Sequence, residues 1–122
     1  MSNRFQDRFD VARERLEASA LLLDEGFPAD ATSRAYYGVY EAARLLLASR
    51  EVRPSTHKGV ENQLGHRFRD EQIDLQTFSR LRTDRQRCDY ELDRPGPSRV
   101  KAHLREARTF VEQAETLIDE AG

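Results

Sequence analysis

Apolar residues recur at steps of three and four along almost the whole chain. This spacing gathers them on one side of an α-helix and is typical of amphipathic helices packed on a core. Residues that break helices divide the sequence into five such stretches and leave no room for a sheet. The pattern therefore predicts an all-α protein.

The boundaries of the stretches follow from their capping and breaking residues. The first two run from about residue 3 to 24 and from about residue 29 to 50. Ser55 or Thr56 can cap the third stretch, and Asp74 can cap the fourth. The segment Pro95-Gly96-Pro97 stops the fourth stretch before the last one begins. Four long helices with short connections predict an antiparallel up-and-down bundle, with the third helix as a short insert.

The second stretch carries two adjacent apolar rows: Ala35, Val39, Ala42 and Leu46, and Tyr36, Tyr40, Ala43 and Leu47. So wide an apolar surface predicts a central helix with several neighbours. It exceeds what one antiparallel neighbour covers, which favours a symmetric homodimer. In the last two stretches, the predicted inward rows are Leu75, Phe78, Leu81, Arg85, Cys88 and Leu92, and Val100, Leu104, Ala107, Val111, Ala114, Ile118 and Ala121.

Length and composition narrow the class of protein. The 122 residues suit a single domain spanning residues 1–122. A membrane span needs about 20 apolar residues, whereas the longest apolar run is far shorter, so we expect a soluble, cytoplasmic protein without membrane contact. A single cysteine, Cys88, excludes an internal disulfide and a cysteine-based zinc site. His66 and His103 have no evident partner, and we expect no metal site and no cofactor.

The basic residues are mostly arginines, and Arg80, Arg82, Arg85 and Arg87 crowd into one short segment. Arginine recognises carboxylate and phosphate through two parallel hydrogen bonds. Genome base composition can also enrich arginine. A local basic segment on a chain of net charge −2 nevertheless favours a specific anion site over general coating of nucleic acid.

Arg85 stands on the predicted inward row, where a guanidinium without an anionic partner is costly. Asp89, one turn further on, can pair with it. A structural Arg85–Asp89 pair and an arginine that reaches solvent are two interpretations. The third is a phosphate or RNA site that also uses Arg82 and Arg87. His57 and Lys58, at the start of the third helix, can help to hold a phosphate.

Three segments resemble the HEPN family, in particular its small stand-alone prokaryotic branch: Ser33 to Arg44, Thr56-His57-Lys58-Gly59-Val60, and Arg85 leading to Cys88-Asp89-Tyr90. The resemblance implies a bundle of four to five helices that often dimerises. It also implies a minimal nucleotidyltransferase as partner, commonly within a toxin–antitoxin module. In some relatives this partner adenylylates a tyrosine beside the motif, and Tyr90 resembles that acceptor.

Many HEPN proteins are metal-independent ribonucleases in which a His follows the motif Arg after four to six residues. Arg85 matches the Arg, but Tyr90 stands where the first such His would be. A tyrosine, with a usual pKa near 10, is a poor proton shuttle at neutral pH. The resemblance thus favours a protein that binds nucleotide or RNA, with candidate site residues Arg85, Asp89, Tyr90, His57, Lys58, Arg82 and Arg87. A ribonuclease toxin that uses Arg85, Tyr90 or His57 is one alternative, and a helical adaptor is another.

Overall fold

The computed structural model describes residues 4–121, and within that range it contains helices and no strand. The all-α prediction is confirmed. The helices are α1 (Arg4–Asp24), α2 (Pro28–Ala48), α3 (His57–Arg67), α4 (Leu75–Tyr90) and α5 (Pro97–Ala121). Asn3, where the first helix was expected to begin, lies outside the described residues, as does the side chain of Ala121.

Helix α2 contacts all four other helices, and α5 also packs against α1 and α4. The prediction of a central second helix is confirmed. Tyr36, Val39, Leu46 and Leu47 of α2 are fully buried, beside Phe9 of α1 and other large apolar residues. Because the neighbours of α2 within one chain cover its wide apolar surface, that surface does not itself call for a second copy.

The close approach of α1 and α2 depends on small residues. Gly26, with a φ of +90°, ends α1 in the left-handed conformation that glycine adopts without strain. Within α1, the buried Ser19 hydroxyl donates a hydrogen bond to the Ala31 carbonyl of α2 at 2.7 Å. A Cβ added at Gly38 would lie 2.5 Å from Cδ2 of Leu16 and 3.1 Å from the carbonyl oxygen of Ala12. The lack of a side chain at Gly38 therefore allows the two helices to lie this close together.

We expect Gly38→Ala to lower the free energy of unfolding by about 1–3 kcal/mol, because Leu16 and the α1 backbone must both give way. Gly65 of α3 is the matched control, since a Cβ there meets nothing within 4 Å. Gly65→Ala is expected to raise the free energy of unfolding by about 0.5 kcal/mol, through lower chain entropy alone. Urea denaturation measures the free energy of unfolding of both variants. Equal changes in the two variants would contradict the close approach of α1 and α2 at Gly38.

The predicted inward row of α4 is confirmed for four buried residues, Phe78, Leu81, Arg85 and Cys88. The prediction was wrong for Leu92, whose side chain is 80% exposed. Helix α4 ends at Tyr90, and Leu92 has a φ of +56°, so the helical spacing no longer applies there. Along residues 4–121, no helix has both the length and the apolar character of a membrane span.

Candidate functional site

Helices α2, α3 and α4 meet at a group of polar aromatic side chains. We call Tyr36, Tyr37, Tyr40, His57 and Arg85 together the Arg85 site. The His57 ring stacks on the Tyr40 ring, with centroids 4.1 Å apart and planes 10° apart. The Arg85 guanidinium lies over two rings, 5.1 Å from the centroid of Tyr36 and 5.7 Å from that of Tyr37. The fold thus joins the second and third HEPN-like segments through the tyrosines of the first.

Capping of α3 positions His57. The Thr56 hydroxyl accepts a hydrogen bond from the Gly59 amide at 2.9 Å, so Thr56 is the N-cap and His57 the first helical residue. A Cβ at Gly59 would lie 2.9 Å from that hydroxyl and 3.1 Å from Cβ of Pro54. Glycine therefore keeps the cap tight, and the cap holds His57 against α2.

The protonation state of His57 follows from its surroundings. Burial lowers the pKa of His57, and the charges of Arg85, Arg82 and Arg44 lower it further, so the ring is neutral at pH 7. Burial raises the pKa of Tyr36 far above its usual value, against the opposing effect of Arg85, and keeps its hydroxyl protonated. That hydroxyl lies 2.6 Å from Nδ1 of His57. Because this is its single partner within the described chain, we assign Tyr36 as the donor and place the His57 proton on Nε2.

Arg85 is 8% exposed and remains charged. Burial lowers the pKa of its guanidinium, but Tyr37, Tyr90, Asp89 and Tyr36 together raise the pKa by more. One nitrogen, Nη1, donates to Asp89 at 3.2 Å, whereas Nε has no hydrogen-bond partner among residues 4–121. A guanidinium has five N–H donors. The arrangement therefore leaves donor capacity for an anion.

The other predicted site residues differ in position. Asp89 pairs with Arg85 and is partly exposed, and Tyr90, which is 75% exposed, ends the same helix. Arg82 pairs with Glu61 of α3 at 2.8 Å beside the site. Lys58 is exposed next to His57. Arg87 points elsewhere, because two residues along a helix from Arg85 is more than half a turn.

Each arginine of the 80–87 segment has a carboxylate partner. Besides the pairs of Arg82 and Arg85, Arg80 lies 3.3 Å from Glu106 and Arg87 lies 3.7 Å from Asp84. Proximity in sequence suggested one basic patch, but the helix distributes these charges over different faces. Within this segment, the buried nitrogens without a hydrogen-bond partner in the described chain are Nε of Arg85 and Nε of Arg82.

The expectation that His103 has no partner was wrong. Its Nε2 lies 2.6 Å from a carboxylate oxygen of Asp84, and both side chains are largely buried. Burial lowers the pKa of His103, and Arg99 lowers it too, against the opposing effect of Asp84. Asp84 also faces Arg87 and Arg99. We call these four residues the Asp84 network, and it lies away from the Arg85 site.

We expect His57 to titrate below its usual pKa of about 6.5. Arg85→Met should move that pKa upward, because it removes one of the three cations that oppose protonation of the ring. Nitrogen-edited NMR over pH 4 to 8 reports both the pKa and the Nε2–H tautomer. Arg105→Gln, an exposed change on α5, is the control. An unchanged pKa in Arg85→Met would show that Arg85 and His57 do not share a site.

The sequence placed Tyr36 and Tyr40 on an apolar row of the second stretch, and it did not indicate that these two tyrosines and Tyr37 belong to the site. Tyr36 is indeed fully buried, but its hydroxyl faces His57 rather than a backbone group. The available signal was the choice of tyrosine over phenylalanine at three closely spaced positions that face the same segment. Arg34 and Arg44, over the rings of Tyr37 and Tyr40, add positive charge that the sequence did not assign to the site.

Chemically, the Arg85 site presents a positive field and N–H donors. Within residues 4–121, no three His, Cys, Asp or Glu side chains come together to hold a metal ion. All charged groups that shift the pKa of His57 are cations. With free N–H groups on Arg85 and His57 and aromatic rings between them, the arrangement suits a phosphate attached to a flat, apolar group.

Comparison with known proteins gives one family and several relatives. A family model described as "HEPN domain" matches residues 5–121. The chain is 29% identical over 119 residues to "Putative toxin MJ0605" of Methanocaldococcus jannaschii. This match covers 94% of this chain and 89% of that protein. It is 31% identical over 86 residues to "Putative toxin MJ0142" of the same organism, with coverage of 67% and 58%. A match to "UPF0332 protein PH1297" of Pyrococcus horikoshii is 38% identical over 58 residues, with coverage of 48% and 41%.

Proposed function

Because the chain belongs to the HEPN domain family, we propose that it is a toxin-type HEPN protein that binds the phosphate groups of RNA or nucleotide at the Arg85 site. The observation that carries the proposal is the incompletely paired guanidinium of Arg85. It is buried, it is charged, and its Nε has no partner in the described chain. Two relatives carry toxin in their names, which supports the toxin class.

In this proposal Arg85 donates to the phosphate and Asp89 orients the guanidinium from its other side. His57 contributes the N–H of Nε2, because its Nδ1 is already engaged with the Tyr36 hydroxyl. In this tautomer the basic lone pair of the neutral ring lies on Nδ1 and is engaged by the Tyr36 hydroxyl, so Nε2 can donate a hydrogen bond to a ligand but cannot accept a proton from it. We therefore propose binding, with slow or absent cleavage, as the primary activity.

The proposed partners are a nucleotidyltransferase and a second copy of the chain. Tyr90 is exposed next to Asp89, which supports it as the residue that a modifying partner would reach. Tyr90 and Leu92 together expose apolar surface at the end of α4. A homodimer through this end would bring two Arg85 sites near one cleft. Support for the dimer comes from this surface and from the family, rather than from α2.

A ribonuclease toxin is the second candidate, and the position of His57 favours it. His57 and Arg85 both contact Tyr36, so a histidine accompanies the motif arginine despite its absence from the motif itself. For His57 to act as a base, its proton must leave Nε2 and the Tyr36 hydrogen bond must reverse. Tyr36→Phe removes that constraint, and it is therefore expected to increase any cleavage that His57 supports.

We expect the purified protein to bind single-stranded RNA with strong salt dependence and to cleave it slowly or not at all, with or without added divalent metal. Fluorescence anisotropy measures binding, and denaturing gels measure cleavage. Co-expression with a nucleotidyltransferase encoded beside the gene, scored for growth and RNA integrity, tests the toxin assignment. Rapid cleavage that His57→Ala abolishes would instead establish the ribonuclease, and absence of binding to both RNA and nucleotide would refute the proposed function.

A further inference from the structure

A cavity of about 460 Å³ lies between the start of α1, the end of α2 and the connection that follows α2. Its size is in the range of small-molecule sites. Leu45, Ala48, Val52 and Pro54 give it an apolar floor, and Phe5 also lines it. No residue proposed above for phosphate binding lines this cavity. Its composition therefore calls for a separate explanation.

Three arginines, Arg8, Arg44 and Arg53, surround this floor, and no Asp or Glu lines the cavity. None of the three forms an ion pair with a carboxylate in the described chain, in contrast to the arginines of the 80–87 segment. Like charges around one cavity repel each other, and an anion bound among them relieves that repulsion. The cavity thus combines an apolar surface with unneutralised cations.

Arg44 lines the cavity and also contacts the Arg85 site. The guanidinium of Arg44 lies 5.7 Å from the centroid of the Tyr40 ring. The same ring stacks on His57, with the centroids 4.1 Å apart. Arg44 is also one of the cations that lower the pKa of His57. A ligand at the Arg85 site would therefore have this cavity beside it.

We propose that the cavity is a subsite for one nucleotide unit, with the base on the apolar floor and the phosphate on the arginines. This rests on the proposed function in one respect: the unit belongs to the same single strand whose neighbouring phosphate is bound at the Arg85 site. A free mononucleotide has the same chemistry and is the other source. A duplex is excluded, because its bases are stacked and paired and cannot enter a cavity.

Charge variants test the phosphate contact. We expect Arg8→Gln/Arg53→Gln to weaken binding of a single-stranded RNA octamer about tenfold and to reduce the steepness of its salt dependence by about 0.7 in the log–log slope. The matched control is Arg105→Gln/Arg108→Gln, which removes two exposed arginines of α5 that are unpaired in the described chain and do not line the cavity. The affinity of the control variant for the octamer should fall less than about threefold, since the two removed charges act on the RNA only at a distance.

A filling variant tests the base contact. Ala48→Met places a larger apolar side chain on the floor of the cavity and fills part of its volume without a change in charge. We expect it to weaken binding about tenfold, the order of one lost base contact, with an unchanged salt slope. Anisotropy with the octamer, with a duplex of the same sequence and with adenosine monophosphate as competitor supplies all readouts. Melting temperatures close to wild type confirm that each variant is folded.

The outcomes separate the subsite from the function. If the wild-type chain binds the octamer and both cavity variants behave like the control, the subsite is refuted and the proposed function stands. If the duplex binds as tightly as the single strand, the subsite is also refuted. Mononucleotide binding that the cavity variants abolish, without any RNA binding, supports the nucleotide assignment and refutes the RNA function. Binding of neither ligand refutes both.

Discussion

Arg85→Met is expected to weaken binding of single-stranded RNA by about tenfold to a hundredfold, while the melting temperature changes little. A charge-assisted hydrogen bond to phosphate contributes about 1.5–3 kcal/mol, and methionine has no donor to replace it. Its unbranched chain takes the place of the arginine stem up to the guanidinium, which lies over the rings of Tyr36 and Tyr37. Asp89 is partly exposed and can be rehydrated, so the loss of its partner should cost only about 1 kcal/mol.

Two further variants show whether Arg85 serves the ligand or the fold. Arg85→Lys keeps the charge but not the planar pair of donors, so its binding should also be impaired. Asp89→Asn keeps an oxygen that can accept from the guanidinium and orient it, but it removes a negative charge beside the bound phosphate, so RNA binding should be equal to or tighter than wild type. Thermal melts and anisotropy titrations on the same preparations decide the question. A large fall in melting temperature with unchanged RNA binding would show that Arg85 is structural.

Alanine is a poorer test at position 85. At the level of sequence, Arg85→Ala would separate the two interpretations, with a loss of about 3–5 kcal/mol for a buried pair and about 1 kcal/mol or less for an exposed one. The structure combines both cases, because Arg85 is buried and Asp89 is partly exposed. Truncation would leave a cavity against the Tyr36 ring whatever the function, and methionine avoids this.

Most of the fold could be predicted from the sequence, because apolar spacing and capping residues act locally. Thr56 and Asp74 cap α3 and α4 as expected, each accepting a hydrogen bond from a nearby backbone amide. The wrong prediction that Leu92 faces inward also follows from the local nature of these signals. Periodicity applies only while the helix continues, and the sequence does not specify the left-handed turn that follows Tyr90.

The candidate site was predictable only in part, because it depends on which helix faces meet. Arg85 and His57 could be selected from residue type and position, and the fold brings both against Tyr36. Ion pairing across helices could not be predicted, since Glu61 and Glu106 lie far in sequence from the arginines they neutralise. The cavity arginines likewise come from segments that only the packing of α1 on α2 brings together.

The Asp84 network shows the same limit and sets the largest expected loss of stability. Asp84 lies inside the arginine-rich segment 80–87 that the sequence singled out, yet the side chain nearest to its carboxylate is His103 on α5. A carboxylate oxygen of Asp84 lies 2.6 Å from Nε2 of His103, and Arg87 and Arg99 lie within 4 Å. The side chains of Asp84 and His103 are 14% and 9% exposed, so little water can replace a lost partner. Arg99 has a second carboxylate in Asp93.

We expect Asp84→Ala to lower the free energy of unfolding by about 3 kcal/mol, because it removes the polar group next to the buried Nε2 of His103 and the largely buried counter-charge of two arginines. Asp84→Asn keeps an acceptor for His103 and should lose only about half as much. Asp93→Ala, which removes a more exposed partner of Arg99, is the matched control and should cost less than about 1 kcal/mol. Urea denaturation at pH 7 compares the three. Equal losses for Asp84→Ala and Asp93→Ala would mean that burial adds nothing to the pair between Asp84 and His103.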